Sequence, residues 1–143
     1  MLRVKELEAS LQRVLTDGVT NAMLINDEGA PIATARNAED DQTISAILAN
    51  IYLEYKEAAK YVDPANPSPL QSLFFDCETA RVACTSFTES PEQVDGGQES
   101  LFLLCVCGDK DVNFGILLNR LELLKGSLKC LEPILAPMDA GLS

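Results

Sequence analysis

The sequence predicts an α+β fold in which helices cover the faces of one antiparallel sheet. Three segments carry apolar residues at helical spacing, and five shorter segments are extended apolar runs separated by turn residues. The segments follow one another in the order α-β-β-α-β-β-β-α. Because strands that are adjacent in sequence usually pair, the simplest packing is a five-stranded antiparallel sheet flanked by the helices.

The composition describes a single globular domain with an acidic surface. The chain has 143 residues, of which 47% are hydrophobic and 23% are charged. Eleven Lys and Arg against 22 Asp and Glu give a net charge of −11. We therefore expect no nucleic-acid partner, since a surface that binds nucleic acid needs clustered cations. The longest apolar run, Leu101–Cys107, is too short to span a bilayer, so we expect no direct membrane insertion.

The first half of the chain predicts two helices around a hairpin. The Asp17-Gly18 pair ends the first helix, the turn at residues 27–29 joins the strands, and Asp40-Asp41 caps the long second helix. The predicted elements are a helix over Val4–Leu15, strands over Val19–Asn26 and Ala30–Ala35, and a helix over Gln42–Tyr61.

The second half predicts three strands and a last helix. A proline-rich break at residues 63–69 ends the long helix, and the turn Glu78-Thr79-Ala80 joins a second hairpin. The acidic stretch Thr88–Ser100, with Gly96-Gly97, predicts a solvated, mobile loop. The predicted elements are strands over Leu70–Cys77, Arg81–Phe87 and Leu101–Cys107, the last one central, and a helix over Val112–Leu131 that Pro133 stops.

Catalytic and metal-binding patterns are weak in this sequence. There is no His, which removes Ser-His-Asp and Cys-His catalysis, and no phosphate-binding glycine loop. Five cysteines without a signal peptide indicate reduced cytosolic thiols, which we expect to pack in the core. Two alternatives stay open: a zinc site of Cys77, Cys84, Cys105 and Cys107, and a GTPase-activating role for Arg36, the one arginine predicted in a loop. We expect no enzymatic activity, cofactor or metal.

The long second helix is the most informative segment. Its apolar residues cover more than the stripe that one packing surface needs. A partner protein that covers the surplus is one interpretation, and a core helix sandwiched within this chain is the other. The residues concerned are Ile44, Ile47, Leu48, Ile51, Tyr52 and Tyr55.

The element order and a series of short stretches resemble the roadblock/dynein light chain family, which has a profilin-like fold. Within that family the stretches most resemble the roadblock subunits of the Ragulator, a late endosomal and lysosomal adaptor. The resemblance extends over residues 1–135, which we assign to one roadblock domain, with 136–143 as a tail. The stretches are Met1-Leu2-Arg3, Lys5, Leu7, Gly18-Val19, Leu24, Asn26, Glu28-Gly29, Asn50-Ile51, Tyr55, Asp76-Cys77-Glu78, Arg81-Val82-Ala83, Phe114-Gly115 and Glu132-Pro133.

The resemblance implies a non-enzymatic scaffold that pairs side by side with a second roadblock protein of the MAPK scaffold type. It also implies two further partners, a lipidated Ragulator subunit and Rag GTPases. The implied location is the cytoplasmic face of late endosomes and lysosomes, and the implied role is in mTOR and MAPK signalling. A homodimeric dynein-type light chain that binds an intermediate chain is the alternative. The implied pairing surface joins the helix residues Ile44, Ile47, Leu48, Ile51, Tyr52 and Tyr55 to the strand residues Leu70, Ser72, Phe74 and Asp76.

Overall fold

A computed structural model describes residues 2–66, 69–88 and 101–130, and it confirms the predicted order of elements. Among the described residues, no helix is both long and apolar enough to cross a bilayer. The elements are α1 (Leu2–Gln12), β1 (Val19–Ile25), β2 (Pro31–Thr34), α2 (Asp41–Val62), β3 (Ser72–Asp76), β4 (Ala80–Thr88), β5 (Leu101–Asp109) and α3 (Phe114–Cys130).

The five strands form one antiparallel sheet in the order β2-β1-β5-β4-β3. The long strand β5 lies in the middle, as its unbroken apolar sequence predicts, and Leu103–Val106 are buried. Strands β2 and β3 form the two edges. They are also the two shortest strands of the sheet, and short strands are common at sheet edges.

Each face of the sheet carries its own apolar core. Helices α1 and α3 cover one face, where Leu11, Leu104, Leu117 and Leu121 are fully buried. Helix α2 covers the other face through a smaller cluster that contains Met23, Ile25, Leu48, Tyr52, Cys84 and Cys105. The small cluster leaves much of the surface of α2 outside the core, and this surface bears on the partner hypothesis.

The boundaries of several elements differ from the predicted ones. Helix α1 stops at Gln12 rather than Leu15, because Val14 and Leu15 enter tighter turns before the left-handed residue Asp17 (φ 57°) and Gly18 (φ 90°). Strand β5 continues to Asp109, two residues beyond the expected end, since Gly108 and Asp109 still pair with β4. Helix α3 begins at Phe114, two residues later than predicted, where the Asn113 side chain accepts from the Gly115 N–H at 2.6 Å.

The predicted cap of α2 was wrong in its detail. Asp40 occupies the N-cap position but makes no side-chain hydrogen bond to the helix. Asp41, inside the first turn and 4% exposed, instead accepts from the Ala38 N–H (2.8 Å) and from the Asn21 side-chain amide (3.3 Å). The carboxylate thereby ties the start of α2 to β1. The predicted mobile loop beyond Thr88, the end of the last helix at Leu131 and the tail 136–143 lie outside the described residues.

Candidate partner interface

Helix α2 presents a row of apolar side chains that the described part of the chain leaves largely exposed. Ile47 and Tyr55 are 52% and 53% exposed, and Ile51, between them at a spacing of four residues, is half-buried. Residues four apart lie above one another on a helix, so these three form a continuous row. We call Ile47, Ile51 and Tyr55 the outer row.

The other predicted helix residues serve the chain's own core. Leu48 is 8% exposed and Tyr52 is 3% exposed, and both pack in the cluster beneath α2. Ile44 lies at the boundary, partly buried against the same cluster. The structure therefore divides the predicted set: Leu48 and Tyr52 hold the helix to the sheet, whereas the outer row is open to a partner.

The orientation of α2 turns the outer row toward the β3 side of the sheet. On its opposite flank, Ser45 donates a hydrogen bond to the Gly29 carbonyl (2.8 Å), and Leu53 lines a small cleft beside the β1–β2 turn. At about 100° per residue, Ile51 lies ~160° around the helix from Leu53. The outer row thus faces away from β2 and toward the edge that β3 forms.

Strand β3 is an open edge among the described strands. Only β4 pairs with it, so the N–H and C=O groups along its other side are available for a strand of another chain. The strand is short, spanning Ser72–Asp76, and its side chains alternate between the two faces. An added strand would extend the sheet on the side toward which the outer row turns.

The four predicted strand residues do not all lie on the same face of the sheet. Phe74 contacts Phe114 of α3, so Ser72, Phe74 and Asp76 project on the α3 side. Leu73 and Phe75 project on the α2 side and pack against its cluster, as does Leu70. The predicted set does not contain Leu73 and Phe75, the two β3 residues on the α2 side. The signal that could have found them is the alternation of β3 relative to its neighbour, in which Leu73 pairs with the buried Cys84.

Two further exposed residues extend the apolar surface of α2. Tyr61 and Val62 are 88% and 85% exposed at the C-terminal end of the helix. Tyr61 is the last residue of the predicted helix and Val62 follows it, but the sequence alone could not show that both are exposed. Their exposure lengthens the surface that a partner helix could cover.

A cluster around Arg81 fixes the β3–β4 hairpin to α3. Its guanidinium donates to the Val112 carbonyl (2.8 Å), pairs with Asp76 (3.1 Å) and lies 4.9 Å from the centre of the Phe114 ring. Phe74 meets the same ring edge-on at 5.3 Å. These contacts hold the edge strand β3 against α3.

A small cleft lies beside α2 among the described residues. The cleft beside α2 has a volume of about 20 Å³, room for one water molecule. No group of three or more acidic, Cys or His side chains among the described residues is placed to hold a metal ion. Arg36 lies in the exposed connection between β2 and α2, as predicted, and its backbone N–H donates to the Asn21 side chain at 3.2 Å.

The cysteines are split between core and surface. Cys84 and Cys105 are buried and Cys107 is half-buried, as predicted for core thiols, whereas Cys77 is exposed at the end of β3. Burial raises the pKa of Cys105 well above its usual range and raises that of Cys107 to about 12. These two thiols are protonated at neutral pH. Burial likewise raises the pKa of the Tyr52 phenol.

Sequence comparison identifies the class of protein that this fold and this surface define. The model of the Roadblock/LC7 domain family matches residues 5–90, so the chain belongs to the Roadblock/LC7 domain family. The match contains α2 and β3, the two elements that carry the candidate interface.

Three solved structures share the fold at low sequence identity. MglB from Myxococcus xanthus is 15% identical with a TM-score of 0.68, covering 90% of this chain and 88% of its own. The gliding protein MglB from Thermus thermophilus is 14% identical with a TM-score of 0.68, covering 87% of each chain. A Roadblock/LC7 domain from Streptomyces avermitilis is 11% identical with a TM-score of 0.68, covering 87% and 95%. At these identities the likeness shows the fold alone.

Proposed function

We propose that this chain is a non-enzymatic adaptor that pairs side by side with a second roadblock-fold protein. The observations that carry the proposal are the exposed outer row of α2 and the open edge of β3 on the side toward which that row turns. Two sheets joined through that edge would bring the outer row against the helix of the partner. An interface of standard size buries on the order of 1,600 Å² in total, which such a strand-and-helix surface can supply.

Charge favours a partner that differs from this chain. Each copy carries a net charge of −11, so a pair of identical copies would carry −22. Net charge of one sign opposes close association through long-range repulsion. A heterodimer with a less acidic roadblock protein avoids this cost.

The finer assignment follows the sequence resemblance to Ragulator roadblock subunits. On this proposal the heterodimer partner is of the MAPK scaffold type, and a lipidated subunit holds the pair on the cytoplasmic face of late endosomes and lysosomes. The pair recruits Rag GTPases there and supports mTOR and MAPK signalling by positioning its partners. The quoted stretches around Asn50-Ile51, Asp76-Cys77-Glu78 and Arg81-Val82-Ala83 support it, since they fall on α2 and on the β3–β4 hairpin.

Self-association is the second candidate, as in a dynein-type light chain that binds an intermediate chain. One similar structure is of MglB with a tetrameric arrangement, at 15% identity and a TM-score of 0.67. Copies of a roadblock-fold protein can therefore assemble with one another. The acidic charge of this chain argues against that arrangement at low salt.

Light scattering on the purified chain, alone and co-expressed with a candidate roadblock partner, tests the proposal. We expect a one-to-one heterodimer. A stable homodimer that ignores the partner would favour the dynein-type function, and a monomer that binds neither would refute the pairing proposal.

A matched pair of variants tests the surface itself. We expect Ile47→Asp to abolish partner binding, because the interface would bury an unpaired charge. The control is Leu123→Asp on α3, since Leu123 is 55% exposed and Ile47 is 52% exposed. Undiminished binding by Ile47→Asp, or equal loss in both variants, would show that the outer row is not the interface.

A further inference from the structure

Beneath α2 the sheet carries two thiols that face each other. Cys84 of β4 and Cys105 of β5 are directly paired in the register of the two strands. Both side chains are buried, and their Sγ atoms are 2.9 Å apart. Neither thiol belongs to the proposed partner interface. The two thiols hydrogen-bond to each other, and either one can be the donor.

The geometry singles out this pair among the described cysteines. Residues directly opposite in an antiparallel pair have Cα atoms about 4.5 or 5.5 Å apart, within the range of about 4.4–6.8 Å that a disulfide spans. Cys107 lies two residues from Cys105 along one strand, so their Cβ atoms are about 6.6 Å apart, beyond the ~4.5 Å limit for a bridge. Cys77 is exposed at the far end of β3.

We propose that Cys84 and Cys105 form a site of reversible oxidation, in which a peroxide converts the two thiols into a cross-strand disulfide. The thiolate of one cysteine attacks a peroxide oxygen, the O–O bond breaks, and the cysteine becomes a sulfenic acid as one water leaves. The other sulfur then displaces the sulfenic oxygen, which leaves as a second water. The two sulfurs lose two electrons to the two peroxide oxygens, and the two thiol protons leave in the waters.

The bridge is expected to be reducible. Opposite residues in a sheet hold their Cβ atoms about 4.5–5.5 Å apart, whereas a relaxed disulfide prefers a mean of about 3.8 Å. The strands must therefore move together to close the bond. Strained disulfides are the labile and regulatory ones, so a small-molecule dithiol should reopen this bond by exchange.

Helix α2 controls access to the pair. Tyr52 lies in the same buried cluster as both thiols and is itself 3% exposed. Because the thiolate is the reactive form and burial keeps the pKa of Cys105 high, the closed structure protects the pair. Oxidation then requires α2 to lift from the sheet, so its rate measures how firmly α2 packs. A partner bound to the outer row should slow oxidation. This expectation rests on the proposed function, whereas the proposal of a disulfide between the two thiols does not.

Mass spectrometry after hydrogen peroxide treatment tests the site on the full, initially reduced chain. Remaining thiols are alkylated with N-ethylmaleimide under denaturing conditions, and the chain is cut with trypsin and a glutamate-specific protease. Both enzymes are needed because Val82–Lys110 is a single tryptic fragment, which cleavage at Glu89, Glu92 and Glu99 separates into a Cys84 part and a Cys105 part. We expect a disulfide between these two parts that dithiothreitol reverses.

Variants assign the bond. We expect Cys77→Ser and Cys107→Ser to keep the linked fragments, and Cys105→Ser to lose them. Two results would overturn the proposal: Cys84 and Cys105 both remaining alkylatable while Cys77 oxidises, or a bond that maps to Cys77 or Cys107.

Three variants of α2 test whether this helix controls oxidation of the thiols. We expect Tyr52→Ala to accelerate oxidation at least about tenfold, since truncation of a buried aromatic side chain loosens the helix on the sheet. Leu53→Ala, on the exposed flank of α2, should react at the parental rate. Tyr52→Phe keeps the ring but loses the hydrogen bond of the hydroxyl to Ser86, so its rate should fall between those of the parent and Tyr52→Ala. An unchanged rate in Tyr52→Ala would refute the control by α2. If added partner protein fails to bind, the proposed function fails while the thiol result stands.

Discussion

Replacement of Arg81 by alanine tests the cluster that fastens the edge hairpin to α3. The side chain is 28% exposed and makes three contacts: a hydrogen bond to the Val112 carbonyl, an ion pair with Asp76 and a cation–π contact with Phe114. The contacts differ in strength because they differ in exposure. The charged hydrogen bond contributes about 1.5–3 kcal/mol. The ring contact contributes about 0.5–1 kcal/mol.

The ion pair adds the least. The Asp76 side chain is 63% exposed, so solvent screens the pair and its contribution is about 0–1 kcal/mol. The three contacts share one side chain and do not add fully, so we expect Arg81→Ala to lower the free energy of unfolding by about 2–4 kcal/mol. At roughly 3 °C per kcal/mol for a chain of this size, the melting temperature should fall by ~6–12 °C.

Urea unfolding and thermal melting of the full chain measure this loss. Asp76→Ala is the control, because it removes only the exposed ion pair and should cost at most about 1 kcal/mol. The double variant should resemble Arg81→Ala within about 0.5 kcal/mol, since the ion pair is already lost there. If Asp76→Ala costs as much as Arg81→Ala, the hydrogen bond to Val112 and the ring contact do not stabilise the hairpin, and the reasoning fails.

Three further changes probe other parts of the molecule. Deletion of Glu89–Gln98 should keep a single cooperative melting transition, because β4 and β5 pair up to Thr88 and Leu101 without that segment; a broad or biphasic melt would contradict this. Under reducing conditions, the free energy of unfolding should fall as pH rises from 9 toward 12, because the folded chain keeps the Cys107 proton up to a pKa of about 12 while the unfolded chain releases it near 9. In Cys107→Ser the free energy of unfolding should fall less steeply over the same pH range. An equal slope in the parent and the variant would show that Cys107 does not cause the decline. Leu121→Ala, at a fully buried position, should lower the free energy of unfolding in urea by about 2–5 kcal/mol. A loss under about 1 kcal/mol would contradict this and show that neighbouring side chains move in to fill the cavity.

The order of elements could be predicted from the sequence because it depends on local patterns. The helical spacing of Leu7, Leu11 and Val14, the alternation and apolar runs of the strands, and the proline-rich break after α2 each act over a few residues. The ends of elements were harder to predict. Val14 and Leu15 continue an apolar pattern, yet the structure buries Val14 from a turn rather than from α1, since burial does not require helical geometry.

The candidate interface was only partly accessible to the same reasoning. The surplus of apolar residues on α2 is a property of the sequence, and it correctly indicated that the helix has more apolar surface than the sheet covers. Which residues form the surplus depends on how the helix is turned. Two hydrogen bonds fix the rotation of α2 about its axis. Ser45 donates to the Gly29 carbonyl in the first hairpin, and Asp41 accepts from the Ala38 N–H in the connection that follows it.

The sequence by itself determined the α-β-β-α-β-β-β-α order, the central place of β5, the acidic charge and the excess of apolar residues on α2. The tertiary structure decided that Leu48 and Tyr52 belong to the core, that Ile47, Ile51 and Tyr55 remain outside it, and that Phe74 projects toward α3. It also brought Cys84 opposite Cys105. The physical reason is that periodicity defines which residues share a face, whereas the register of strands and the rotation of a helix are set by contacts between residues far apart in the chain.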